Sequence, residues 1–279
     1  MIHLLCLLLW PAGAAPASAK IDDAIRRTEV AIGRRVYVGP VPPQMRGAVP
    51  ESMAGLGARA AYLVMRKNAP DAELAHELIH VELLAEHFMA LTPDAKVPLA
   101  NVLSANLQDF VSHPRLDRMA RAWGFQQDEI AGEHAGAIRE YILTACDAET
   151  ERKMGKIQLA GNALGLAEVL QRGNGPLDAV RVAAAVHAPT ALSLATELMR
   201  RFPAAPEISA KESFARARAI LAFLDGQVKE RWGPDPSSVL RLVDATETPN
   251  IPPVLEELIR DYWRGVETSE PRDARCKLP

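Results

Sequence analysis

Residues 71–88 read DAELAHELIHVELLAEHF, and this stretch decides the fold that the sequence predicts. Its apolar residues recur at spacings of four, three, four and three, which is typical of a helix face packed on a core; they are Leu74, Leu78, Val81, Ala85 and Phe88. Asp71 follows Pro70 and can cap the helix. Ile79, Leu83 and Leu84 extend the apolar surface to a second side. A helix that is apolar on two sides is largely buried.

The pentapeptide His76-Glu77-Leu78-Ile79-His80 lies inside this helix. Side chains four residues apart on a helix sit about 40° apart around the axis and about 6 Å apart along it. Both imidazoles can therefore reach one metal ion from the same face. Glu77 points to the side, close enough to act on a water at that ion. The pattern indicates a zinc hydrolase with an open coordination position and a carboxylate base; the alternative is an amphipathic helix with two solvated histidines.

A short apolar run, AAYLVMR at residues 60–66, precedes the helix and has strand propensity. A strand that leads directly into an HExxH helix resembles the zincin metallopeptidases. The resemblance covers about residues 30–135, and its specific element is the pentapeptide. It implies Zn²⁺ as the cofactor and a peptide or protein substrate held in extended form along a sheet edge. It also implies hydrolysis of the peptide bond with Glu77 as general base.

The third metal ligand must come from a later element. Metzincins have glycine and histidine where this chain has Leu83 and Glu86, so the resemblance is to gluzincins or aspzincins. His87 lies about 10 Å beyond His80 along the helix axis, which is too far to share an ion with it. We therefore predict that His87 is a surface or groove-rim residue.

Three residues are candidates for that third ligand. Asp109 and His113 are four apart at the end of a predicted helix and share a face. One can bind the metal while the other orients a ligand. Glu133, at the start of the next predicted helix, is the third candidate. The ordinary alternatives are a solvated carboxylate for Asp109, a helix-terminal histidine for His113, and an acidic first turn for Glu133. His113 is preferred, followed by Asp109 and then Glu133.

The first nineteen residues have the pattern of a secretory signal peptide. An apolar run at residues 4–10 is followed by Ala17-Ser18-Ala19, although no Lys or Arg precedes the run. We expect a periplasmic or secreted protein with no stable membrane span, because the run is too short to cross a bilayer. In an oxidising compartment Cys146 and Cys276 either form a disulfide or remain thiols.

The composition argues against nucleic-acid binding. The formal net charge is −3, aromatic residues make up 5% of the chain, and no block of basic residues occurs. Proteins that bind nucleic acids usually carry a basic face. A hydrophobic content of 48% is sufficient for a sizeable core. The sequence gives no indication of oligomeric state.

The expected fold is α+β and predominantly helical, with a small N-terminal sheet beside the HExxH helix and a larger C-terminal helical region. The predicted division is a signal peptide at 1–19, a zincin-like metal-binding domain at 20–135 and a helical domain at 136–279. Residues 44–59 are expected to be irregular, and helices are expected at 98–112, 115–122, 128–145, 147–172, 177–187, 190–202, 209–231, 236–246 and 253–266. The alternative function is an exported helical binding protein with a structural or vestigial metal site.

Overall fold

The computed structural model describes residues 19–40, 42, 52–66, 69–173, 175–247, 251 and 253–266. The predominantly helical α+β fold is confirmed. The N-terminal part contains α1 (Ala19–Ile32), β1 (Arg35–Pro40), β2 (Met53–Leu56), β3 (Ala60–Met65), α2 (Asp71–Ala85) and β4 (Met89–Pro93). The remainder contains α3 (Ala100–Ala122), α4 (Asp128–Ala145), α5 (Ala148–Lys153), α6 (Lys156–Arg172), α7 (Leu177–His187), α8 (Pro189–Arg201), α9 (Ala210–Gln227), a 3₁₀ turn (Pro236–Ser238), β5 (Leu240–Asp244) and α10 (Pro253–Val266).

The three-stranded sheet supports the helix that carries the pentapeptide. Its strand order is β1-β3-β2, with β1 parallel and β2 antiparallel to the central β3. Every residue of β3 is buried, and alternate side chains point to opposite faces of the sheet. Ala61, Leu63 and Met65 pack towards α1 and α2. Ala60, Tyr62 and Val64 pack towards α10. The HExxH helix is thus held against one face of a sheet that is covered on both faces.

The apolar face predicted for residues 71–88 is confirmed for α2. Leu74, Leu78 and Val81 are buried beside the sheet. Ile79 and Leu83, on the second apolar side, belong to the helical core that extends to α9 and β5. The helix therefore lies between the two largest buried clusters, and its histidines face the helical region.

Helix α3, at Ala100–Ala122, is one helix where the sequence predicts two, at 98–112 and 115–122. Pro114 lies inside α3, although proline removes a helical N–H and disfavours the helical conformation of the residue before it. Phe110, Val111, Leu116 and Ala120 are buried on both sides of it. Burial on both sides favours a continuous helix, because tertiary packing supplies most of the stability of helices in proteins.

The other local predictions that fail concern strands and helix breaks. The helix predicted at 236–246 is wrong: this segment is a 3₁₀ turn followed by β5, which pairs antiparallel with β4. Residues 53–56 lie in a segment expected to be irregular but form β2 on β3. The helix predicted at 147–172 is divided at Met154 and Gly155 into α5 and α6. The capping box of Ser209 and Glu212 at the start of α9 is confirmed.

Several sequence predictions fall outside the described residues. Residues 1–18 of the predicted signal peptide and Cys276 are among them. In the part of the chain that the structure describes, no helix combines the length and apolar character needed to cross a bilayer. The domain division at 135/136 stays a prediction; the largest buried cluster contains residues from both sides of it, from Ile79 to Leu240.

Candidate metal centre

Helix α2 brings two imidazoles together at its buried side. The Nε2 atoms of His76 and His80 are 3.1 Å apart, as the i,i+4 spacing allows. His76 is buried and His80 is half-buried. Two nitrogens bound tetrahedrally to one zinc ion at 2.0–2.1 Å would be about 3.3 Å apart. The pair therefore has nearly the separation that a shared ion requires.

Helix α3 adds a third imidazole at the same point. His76, His80 and His113 each offer one nitrogen, and these atoms all lie within 4.8 Å of one another. The centroid of the His113 ring is 5.0 Å from that of His76 and 5.6 Å from that of His80. The preferred third-ligand candidate of the sequence analysis is thus the one that the structure places with the pentapeptide histidines. The continuation of α3 through Pro114 keeps His113 within a helix at this position.

A glutamine fixes the orientation of His76. The His76 Nδ1–H donates a hydrogen bond to the Gln127 side-chain carbonyl oxygen at 3.0 Å, because that oxygen can only accept. The Gln127 amide nitrogen in turn donates to the Ala72 carbonyl at 3.2 Å. With its proton on Nδ1, the imidazole presents the lone pair of Nε2 to the cluster.

A buried carboxylate fixes the orientation of His113 in the same way. The His113 Nδ1–H donates a hydrogen bond to Oε1 of Glu168 at 2.5 Å. Arg172 approaches the same oxygen at 3.3 Å. It also binds Asp117 through two hydrogen bonds, of 2.7 and 3.0 Å. A carboxylate behind a ligating histidine holds the ring and raises its basicity towards a metal.

The Nε2 atom of His113 shows whether the three histidines are suited to a cation. His113 Nε2 is buried and has no hydrogen-bond partner among the residues that the structure describes. Asp109 Oδ1 lies 3.4 Å away. A buried polar atom without a partner is costly, and such atoms commonly mark an ion or a water site. Three imidazole nitrogens within 4.8 Å of one another suit a borderline-soft divalent ion.

Electrostatics keeps His76 and His80 in the neutral form that can bind a cation. Burial, followed by the neighbouring imidazoles, lowers the pKa of His76 well below its usual value and that of His80 to about 3. Both rings are therefore neutral at pH 7. Burial, followed by the like charges of Asp109 and Glu73, raises the pKa of Glu77 to about 8. A cation in the cluster would favour the ionised form of that carboxyl group.

Glu168 is ionised despite its burial. Burial alone raises its pKa, but His113 and His134 lower the pKa of Glu168 by more, to well below the usual value. His134 Nδ1 lies 3.1 Å from Glu168 Oε2. Burial lowers the pKa of His134, but Glu168 and Asp109 outweigh it and raise the pKa. The carboxylate thus links His113 to a second histidine at the edge of the cluster.

The other sequence candidates have different positions. Asp109 lies beside the cluster, and burial raises its pKa. Glu133 is not brought to the cluster: its half-exposed carboxylate pairs with Arg66 at 3.2 Å. His87 is exposed, as predicted, and contacts Asp244. Arg115 donates to the Ile208 carbonyl at 2.7 Å.

Sequence reasoning missed the residues behind the ligands. Gln127, Glu168 and Arg172 are 51 to 59 residues away from the histidines that they contact. One signal was present: Glu168 stands alone in the apolar run GLAEVL at residues 165–170. A charged residue on the buried side of a helix needs a partner.

Comparison with protein-family models, with curated proteins and with solved structures found no match for this chain. Three imidazoles this close together can hold a divalent metal, and Glu77 provides an acid–base group on the same helix as two of them.

Proposed function

We propose that this protein is a zinc-dependent metallopeptidase. The observation that carries the proposal is the convergence of His76, His80 and His113, with Glu77 on the same helix as the first two. Three protein ligands leave a fourth position for water or substrate, which is the arrangement of catalytic rather than structural zinc sites. The buried groups behind two of the histidines support it, because such groups are typical of functional metal sites.

Each residue has a distinct role in this proposal. His76, His80 and His113 would hold the ion, and Gln127 and Glu168 would keep two of the rings in the binding tautomer. When bound, zinc lowers the pKa of water and polarises a carbonyl group. Glu77 would take the proton of the attacking water and pass it to the leaving amine. Burial raises the pKa of Glu77, and a bound cation would lower it again, towards the ionised form that accepts a proton.

The substrate class rests on the resemblance and on the position of one strand. β2 is an edge strand of the sheet, paired on one side with β3. An extended peptide would add along residues 53–55, on the side of β2 where the described residues supply no further strand; the Leu56 carbonyl already accepts from the Ile251 N–H at 3.4 Å. A peptide or protein substrate, and a periplasmic or secreted location, are therefore part of the proposal.

The decisive experiment replaces Glu77 by Gln and measures both metal content and peptide hydrolysis. The variant should retain one metal per chain and lose activity by about 10²–10⁴-fold, the usual contribution of a general base. Glu86→Gln is the matched control, since Glu86 caps the same helix and is half-exposed. Metal-loaded Glu77→Gln with undiminished activity would remove Glu77 from the mechanism.

A specific observation favours the alternative of a helical binding protein with a structural site. Asp109 Oδ1 lies 3.4 Å from His113 Nε2, close to the separation of two ligands on one ion. A carboxylate in the fourth position would close the site against substrate. X-ray absorption of the zinc-loaded protein and of Asp109→Asn distinguishes the two functions. Loss of an oxygen ligand in the variant, together with an inactive wild type, supports the structural site.

A further inference from the structure

A cavity of about 310 Å³ lies between α3, α4 and α6, apart from the metal centre. Its wall contains Asn106 of α3, Ile138 and Tyr141 of α4, and Gly161 and Gly165 of α6. The two glycines lie on the side of α6 that faces α3, since Gly161 is near Leu103 and Gly165 is near Asn106. Glycine at these two positions lets α6 approach α3 closely, because a Cβ atom there would already contact Leu103 or Asn106.

The cavity and the histidine cluster follow each other along the axes of α3, α4 and α6. Each layer consists of one residue from each of these helices. Asn106, Ile138 and Gly165 form the inner end of the cavity: a Cβ atom on Gly165 would lie 3.1 Å from the Asn106 amide and 3.4 Å from Ile138. The next layer contains Asp109 and Glu168, three residues later on α3 and α6, and His134, four residues earlier on α4. At 1.5 Å per residue, the layers are about 5 Å apart.

The opposite end of the cavity meets solvent. Leu99, Val102 and Tyr141 line it there, and they are 43%, 41% and 39% exposed. Large apolar side chains of this exposure, grouped at the mouth of one cavity, are typical of a binding site. A ligand can therefore enter without passing the metal centre.

The lining determines what kind of ligand fits. None of the described residues that line the cavity is Asp, Glu, Lys, Arg or His. Its polar groups are neutral, chiefly side-chain amides and the Tyr141 hydroxyl, and the Asn106 Nδ2 atom already donates to the Gly161 carbonyl. Burying a charge without a partner is costly, whereas a hydroxyl can bond to neutral amides. The volume is about ten times the ~30 Å³ of a water molecule.

We propose that this cavity binds a free, neutral and mainly aliphatic molecule with a small polar end, of roughly six to ten non-hydrogen atoms. The occupant enters from solvent at the mouth formed by Leu99, Val102 and Tyr141. This second site is independent of metal binding and of hydrolysis, so it can be tested on the metal-free protein.

The test is titration with 1-hexanol and 1-octanol, followed by NMR of the isoleucine methyl groups. Ile138, Ile142 and Ile157 line the cavity, and their signals should shift and saturate. Ile79 and Ile220, buried elsewhere, should not respond. Absence of saturable shifts at the three cavity isoleucines, up to the solubility limit of both alcohols, overturns the proposal.

Two matched variants test the route of entry. Val102→Trp places an indole at the mouth and should reduce affinity at least tenfold. Val186→Trp makes the same change on α7 at a valine that is 63% exposed and does not line the cavity, and it should leave affinity unchanged. Equal ligand affinities of the two variants would contradict entry at the mouth formed by Leu99, Val102 and Tyr141.

A charged analogue tests the ligand class. Hexanoate has the chain of 1-hexanol but a carboxylate end, and we expect it to bind roughly tenfold more weakly because the lining has no cation to pair with it. Hexanoate binding as tightly as hexanol would overturn the assignment to a neutral ligand.

Discussion

At the scale of single residues, the site depends on how three histidines are held. His76 and His80 share a face of α2 because of their spacing, and this was predictable from the pentapeptide. Asp109 and His113 were both candidates for the third ligand because they share a helical face, with His113 preferred, and the structure places both near the pair. The choice between them needed the positions of α2 and α3 relative to each other, which a sequence pattern does not contain.

The role of His113 can be tested against a histidine outside the cluster. His113→Ala should lose bound zinc, because two nitrogens bind the ion much more weakly than three. His87→Ala removes an exposed histidine and should bind zinc like the wild type. Elemental analysis after dialysis measures both. Full zinc content in His113→Ala would exclude it as a ligand.

Glu168 can be tested without removing any ligand. Glu168→Gln keeps the size of the side chain but loses the charge that holds the His113 Nδ1 proton. Loss of such a partner costs about 10–100-fold in metal affinity. Competition with a chromophoric chelator measures the change, and Glu140→Gln, exposed on α4, is the control. Unaltered affinity would mean that the carboxylate does not support the metal site.

At the scale of elements, the sequence predicted those whose cause is local. The apolar periodicity of α2, the apolar run of β3 and the capping box of α9 are all readable within a few residues. β5 was mistaken for a helix because its partner β4 lies about 150 residues earlier in the chain. The single helix α3 was divided at Pro114 because local rules do not include the packing on either side of it.

The contact between the sheet and α10 gives a prediction about pH. The Tyr62 hydroxyl donates to Glu256 at 2.9 Å, and burial followed by this hydrogen bond raises the pKa of Tyr62 far above 10. Above pH 10 the unfolded chain releases this proton while the folded chain keeps it. The folded state then binds more protons, so stability falls as pH rises.

Tyr62→Phe should remove the loss of stability at high pH that comes from the Tyr62 proton. We expect the free energy of unfolding of the wild type, measured by urea denaturation, to fall more steeply above pH 10 than that of Tyr62→Phe. The difference in slope should be up to about 1.4 kcal/mol per pH unit. Tyr141→Phe, at a half-exposed tyrosine, should retain the wild-type slope. Parallel curves for wild type and Tyr62→Phe between pH 9 and 11 would contradict this account.

At the scale of the whole molecule, the candidate metal centre joins parts that are distant in the chain. Its candidate ligands come from α2 and α3, and the supporting groups Gln127 and Glu168 come from the start of α4 and from α6. A ligand that binds only the folded state stabilises all of these contacts together. This arrangement connects the sheet region with the helical region.

Zinc should therefore raise the melting temperature of the protein. At a free concentration of 100 Kd, binding adds about 2.7 kcal/mol, equivalent to roughly 5–10 °C for a chain of this size. EDTA should reverse the increase, and His113→Ala should not show it. Scanning calorimetry at several zinc concentrations gives the measurement. Tight zinc binding to the wild type without any change in melting temperature would show that the ion does not bind preferentially to the folded cluster.

The pairing of β4 with β5 has a consequence for the synthesis of the chain. Residues 89–93 leave the ribosome long before residues 240–244, and helices α3 to α9 are made in between. Until then β4 exposes unpaired backbone groups, to which strands of other chains can bind. The nascent protein is consequently most prone to aggregate while its helices are being translated, and a chaperone that shields extended segments would be most useful during that interval.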